Sequence, residues 1–174
     1  NKEFQDVLDG IDTLAKQGTI DPQRVGMGGF SYGGYFSALA ATRYSEHFKA
    51  ASVGAGITDW LSFVGTTEIP RENSMVHWNL EVYKNMKTVS ESSPLAYVEK
   101  CQTAVLISQG EKDERVPPNQ AWTLYTALKL LGKTADLDIY PREEHGFSER
   151  NHQLYFIKRN LDWFDKYVKS EKTN

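Results

Sequence analysis

Ser31, Asp113 and His145 are the three residue types that acyl transfer through a serine requires, and they occur in that order along the chain. Ser31 lies inside Gly29-Phe30-Ser31-Tyr32-Gly33, a G-x-S-x-G pattern. A serine hydroxyl is a weak nucleophile until a base within hydrogen-bond reach takes its proton. Histidine titrates near neutrality, so it accepts that proton and later returns it. A carboxylate fixes the tautomer of the histidine and stabilises its cation. Asp113 has rivals for that part in Glu111 and Glu114, and a charged loop is commonly no more than solvated. Glu143 and Glu144, next to His145, read as loop carboxylates free to pair with Arg142. His47, His77 and His152 read as surface or structural residues.

The three side chains can meet only if the elements between them set all three on one rim. Apolar spacing predicts a helix over residues 3–17, with Gly18 as its stop. A strand is expected over 25–28, then a sharp turn at Ser31 and a helix over 32–44. A reversal of that kind brings two backbones together, so a Cβ at Gly29 or Gly33 is expected to clash. The serine is expected in a strained conformation, and the first free N–H of the new helix, that of Tyr32, is placed to stabilise an oxyanion. Further strands are expected over 49–54, 103–108 and 136–140, with helices over 118–131 and 151–168. The last helix is expected to bury Leu154, Ile157, Leu161, Phe164 and Val168, and the tail beyond it to fray.

Strands alternating with helices imply right-handed crossovers and a parallel sheet. Open parallel sheets carry their chemistry at the carboxyl ends of the strands. Residues 60–92 form an insertion of lid-like character with poor periodicity, opened by Asp59 as N-cap; a plain helical insertion is the competing reading. Within it Trp60, Phe63 and Trp78 are candidates for the substrate pocket, or else for the insertion's own small core. Ser93-Pro94 reads as a cap followed by a short helix to Val98.

The 174 residues suffice for one domain with a real core. A net charge of −3 gives no reason to expect nucleic acid or an anionic membrane as partner. The single cysteine, Cys101, excludes an internal disulfide and reads as a half-buried structural thiol. No His/Cys/Asp cluster has metal-ligand spacing, so neither metal nor other cofactor is expected. The chain begins at Asn1 without a visible signal peptide, and a fragment or processed chain is expected, with a cytoplasmic location.

Several stretches resemble the catalytic domain of the prolyl oligopeptidase family of serine peptidases, most closely its acylaminoacyl-peptidase and dipeptidyl-aminopeptidase branch. They are Gly18 to Val25, the Ser31-Tyr32-Gly33-Gly34-Tyr35 run, Phe48 to Ala51, Ser93-Pro94-Leu95, Gly110 to Pro117 and Glu144-His145-Gly146-Phe147. The resemblance spans nearly the whole chain. It implies the α/β-hydrolase fold, a mostly parallel sheet flanked by helices, of which the four strands here are the C-terminal half. It further implies Ser31 as nucleophile, Asp113 as acid, His145 as base and the Tyr32 N–H as an oxyanion donor. Peptide or acyl-peptide substrates follow from it, with the missing N-terminal half of the domain supplied by the parent chain or another subunit.

The resemblance has gaps. No propeller and no upstream His-Gly-Gly loop is present, and the only His-Gly is His145-Gly146. Losing one oxyanion donor costs about 10²–10³ in kcat, so this segment alone is expected to be inactive. Glu144 stands where relatives commonly carry glycine. Two other readings remain: a carboxylesterase on the same fold, and a non-catalytic fragment or interaction module that keeps the triad as inheritance.

Overall fold

A computed structural model describes residues 2–169; the expected fraying of the tail concerns residues outside that range from 170 onward. Four parallel strands stand in the order β1-β2-β3-β4. They are β1 (Gly26–Phe30), β2 (Ala50–Gly54), β3 (Ala104–Gly110) and β4 (Ala135–Tyr140). Gly26 pairs with Ala50, Ala50 with Ala104, and Val105 with Ala135. The helices are α1 (Lys2–Lys16), α2 (Tyr32–Ala41), α3 (Trp60–Thr66), α4 (Pro70–Trp78), α5 (Met86–Glu91), α6 (Asn119–Leu130) and α7 (Arg150–Phe164).

Side chains alternate across β2 and β3, and the two faces take different cover. Ala51, Val53, Val105 and Ile107 pack with Ala38 and Ala41 of α2 and Ala121, Leu124 and Leu128 of α6. Ala50, Ala104 and Leu106 face Trp163 on the other side. Both strands are buried throughout, as strands covered on both faces must be, whereas β1 lies at an edge of the sheet and is only partly covered. A third cluster centres on Phe4, whose ring stacks on Tyr44 at 4.2 Å and joins Trp60 and Phe63 of α3 in one core.

Several sequence-based expectations need correction. Leu154, Ile157 and Leu161 are exposed rather than buried. The side of α7 that meets the sheet carries Trp163, whose indole N–H donates to the Ala104 carbonyl oxygen at 3.1 Å, and Arg159, which bonds Asp138 at 2.7 Å. This helix has two apolar stripes, and its own periodicity does not say which one the sheet will take. Residues 65–92, for which the sequence leaves a lid-like loop and a helical insertion both open, hold the end of α3, then α4 and α5, joined by non-helical stretches at 67–69 and 79–85. Asp59 caps α3 as expected, accepting from the Ser62 N–H at 3.2 Å. Ser93 stands at the N-cap of the 3₁₀ segment Pro94–Lys100 with Pro94 opening it, but its hydroxyl makes no capping bond; it accepts from Trp60 N–H and donates to the Val89 carbonyl oxygen. Cys101 is fully buried, and burial pushes its thiol pKa up. No helix among the described residues is long and apolar enough to cross a membrane.

Candidate active site

β1 runs to Phe30 and α2 begins at Tyr32, leaving Ser31 alone to turn the chain. Its φ of 60° and ψ of −119° lie in a region that L-residues rarely adopt, at a cost of about 1–3 kcal/mol. The turn is tight because glycines permit it. A Cβ on Gly29 would collide with the Gly33 carbonyl. The expected clash at Gly33 itself is absent, for a Cβ there meets nothing within 4 Å; Gly34 is the second constrained position, facing the Gly54 carbonyl oxygen and, at 2.7 Å, the Cα of Gly56.

Asp113 follows β3 and His145 follows β4, so both reach the rim that holds Ser31. Nδ1 of His145 lies 2.9 Å from Asp113 Oδ2, and Nε2 lies 2.9 Å from Ser31 Oγ. An ionised carboxylate only accepts, so Nδ1–H donates to Asp113 and the free Nε2 lone pair faces the Ser31 hydroxyl. Asp113 is 2 % exposed. Its Oδ1 accepts from Val116 N–H at 2.8 Å, and its Oδ2 also accepts from Gln109 Nε2 at 3.0 Å. The rivals stand elsewhere: Glu111 accepts from Arg142 N–H, and Glu114 is exposed. Gln109, fully buried at the end of β3, orients the carboxylate, a part its type and position alone did not single out.

The loop that carries His145 is built by a residue that read as no more than a loop carboxylate free to pair with Arg142. Glu143 is 1 % exposed. Its Oε2 accepts from Ser148 N–H at 2.7 Å and Ser148 Oγ at 3.0 Å; its Oε1 accepts from Glu149 N–H at 2.8 Å and lies 2.8 Å from His152 Nδ1. Burial works against its charge, but these hydrogen bonds outweigh burial and bring its pKa down to about 2. Glu143, Glu149 and His152 also bring ligand atoms within 4.8 Å of one another, a spacing the sequence did not reveal. Both oxygens of Glu143 are already engaged by those donors. Glu144 lies in ordinary backbone, since the positive φ values of this loop fall on Arg142 and Gly146; glycine is not required at that position.

A cavity of about 230 Å³ opens beside Ser31 and His145. Ile57, Phe63, Ile69 and Val116 supply apolar wall, and Asn73 and His77 of α4 supply polar wall. Of the three aromatic candidates only Phe63 lines it. Trp60 and Trp78 pack edge to face at 5.5 Å and belong to the core behind it. His77 stacks on Tyr32 at 5.3 Å, and burial lowers its pKa. The Tyr32 phenol donates to Glu3 at 3.3 Å; burial first, then the charge of Glu3, push it up to about 12. Tyr32 is the first residue of α2, where backbone N–H groups lack intrahelical acceptors.

The model of the prolyl oligopeptidase family matches residues 1–171. The chain is 34% identical over 173 residues to the uncharacterized peptidase YuxL of Bacillus subtilis, covering 96% of this chain and 26% of that protein. It is 28% identical over 174 residues to dipeptidyl-peptidase 5 of Porphyromonas gingivalis, covering 97% and 25%. Among solved structures, uncomplexed Pyrococcus horikoshii acylaminoacyl peptidase superposes with a TM-score of 0.87 at 29% identity, over 98% of this chain and 28% of the other. The chain thus spans about a quarter of the length of the relatives it matches. Its four parallel strands and flanking helices are those of an α/β-hydrolase. With the match extending over nearly its whole length, this chain belongs to the prolyl oligopeptidase family.

Proposed function

We propose that this chain carries the catalytic triad of a serine peptidase that cleaves short or N-acylated peptides through an acyl-enzyme. The observation that carries the reading is the 2.9 Å contact between Ser31 Oγ and His145 Nε2, with Nδ1 of the same ring held by Asp113 at 2.9 Å. Ser31 Oγ attacks the scissile carbonyl carbon as His145 Nε2 takes the hydroxyl proton. The carbonyl oxygen gains the negative charge, towards which the Tyr32 N–H donates. His145 then passes its proton to the departing amine nitrogen, the carbon–nitrogen bond breaks, and the acyl group remains on Ser31. Water then attacks the acyl carbon as His145 Nε2 takes its proton, the carbon–oxygen bond to Ser31 breaks to release the acid, and His145 returns the proton to Ser31 Oγ.

Acylated or short substrates are supported by the names of the relatives and by the small cavity at Ser31, whose wall is part apolar and part polar. The partly covered edge of β1 and the exposed apolar stripe of α7 support further polypeptide, from the same chain or another subunit, packing there. The test is labelling of the intact protein with a fluorophosphonate, followed by turnover of an aminoacyl anilide and an aryl ester. Labelling at Ser31 that vanishes in Ser31→Ala, with anilide turnover, is the expected result. Turnover of the ester alone would make the protein an esterase, and an unlabelled Ser31 would remove the triad reading.

A further inference from the structure

We propose that Glu143 is a positioning residue for His145: its buried carboxylate clasps the loop on whose apex the imidazole sits. The inference rests on the triad reading above and adds to it. The loop leaves β4 at Tyr140 and enters α7 at Arg150. At its near end the Glu143 carbonyl oxygen accepts from Lys112 N–H at 2.8 Å, one residue before Asp113. At its far end the Glu143 carboxylate takes the N–H groups of Ser148 and Glu149 and reaches His152 on α7. The same residue is therefore fixed to the loop of the acid and to the helix that follows the base. Between those two anchors Gly146 N–H donates to the Glu144 carbonyl oxygen at 2.9 Å, closing a three-residue turn with His145 at its centre.

The chemistry of the clasp requires a carboxylate. Each oxygen faces a main-chain N–H, and neither N–H can change its polarity. In Glu143→Gln the amide nitrogen must oppose one of them whichever way it turns, so one end of the clasp opens. A loop loosened in this way leaves His145 in its chemical form but no longer held within the few tenths of an ångström that proton transfer demands.

The experiment uses the intact protein and its Glu143→Gln and His152→Ala variants, the second removing only one partner of the carboxylate. Two measurements are made: the rate of fluorophosphonate labelling at Ser31 with its split into affinity and maximal rate, and the downfield proton resonance of an imidazole N–H bound to a carboxylate. Glu143→Gln is expected to lower the maximal labelling rate roughly ten- to a hundredfold with affinity changed little, and to broaden or erase the His145 resonance. His152→Ala is expected to move both the same way by less, and it decides the matter if Glu143→Gln does not fold. Unchanged rate and resonance in the folded variants overturn the proposal. If the wild type does not label at all, the triad reading fails. The resonance then judges the positioning separately: present in wild type and lost in the variants supports it, and the same in all three refutes it.

Discussion

The Ser31 N–H donates to the Gly54 carbonyl oxygen at 2.8 Å, so the strained turn residue is tethered to the end of the neighbouring strand. The same oxygen is what a Cβ at position 34 would strike. The turn, the start of α2 and the end of β2 thus share one tightly filled space, and a side chain at position 33 would point away from it.

Two alanine substitutions at adjacent glycines should therefore part company. Gly34→Ala forces β2 and α2 apart and should lower stability by about 1–3 kcal/mol, with loss of Ser31 labelling. Gly33→Ala meets open space and should stay within about 0.5 kcal/mol of wild type. Urea denaturation of both variants, alongside the labelling rate, checks this.

Asp113→Asn tests the electrostatics of the site without changing its shape. Asp113 receives hydrogen bonds from Val116 N–H, Gln109 Nε2 and His145 Nδ1–H, and an amide NH₂ cannot accept. The imidazole is then free to adopt the tautomer with its proton on Nε2, which faces Ser31 uselessly. Anilide turnover should fall roughly 10³–10⁴-fold while the melting temperature moves far less than activity.

Glu143 also predicts a pH dependence of stability. Its carboxyl pKa falls from 4.5 to about 2 on folding. A depressed carboxyl stabilises the fold fully above its unfolded pKa, and that contribution disappears as pH drops from 4.5 towards 2. Arg142, Glu149 and His152 are the charged or titratable groups around it. Denaturation midpoints of wild type and Glu143→Gln should differ most at neutral pH and converge as the solution is acidified through that window.

What was legible in the chain follows from how local each signal is. Gly29-Phe30-Ser31-Tyr32-Gly33 marks a strand–turn–helix by sterics that act within five residues, and the loops bearing Asp113 and His145 follow one apolar strand and one of alternating apolar and polar residues. Glu143 was not legible, because a carboxylate in a charged loop looks the same whether it is solvated or clasped by the N–H groups of the next helix. Gly33 and Gly34 are equivalent in sequence, and only the approach of β2 distinguishes them. Over residues 65–92 the sequence leaves a lid-like loop and a helical insertion both open, because α4 and α5 bury few side chains, Asn73 and Val89 among them, and so lack a clear period.

The two stripes of α7 make the sharpest test of that difference between local and global information. Leu154, Ile157 and Leu161 recur at helical spacing and are 54–60% exposed, whereas Trp163 is 4% exposed against Ala104 and Leu106. Apolar spacing alone assigns Leu154, Ile157 and Leu161 to the core; the structure assigns Trp163. Trp163→Ala should remove about 3–5 kcal/mol, since it empties a buried site and removes the indole's hydrogen bond to the Ala104 carbonyl oxygen. Glutamine at 154, 157 and 161 should leave denaturation within about 0.5 kcal/mol per site of wild type, while lowering binding of a hydrophobic dye to this 174-residue chain. Large losses from the glutamines with little from Trp163→Ala would mean that α7 sits on the sheet by its other face, and the packing of the His145 loop against it would have to be redrawn.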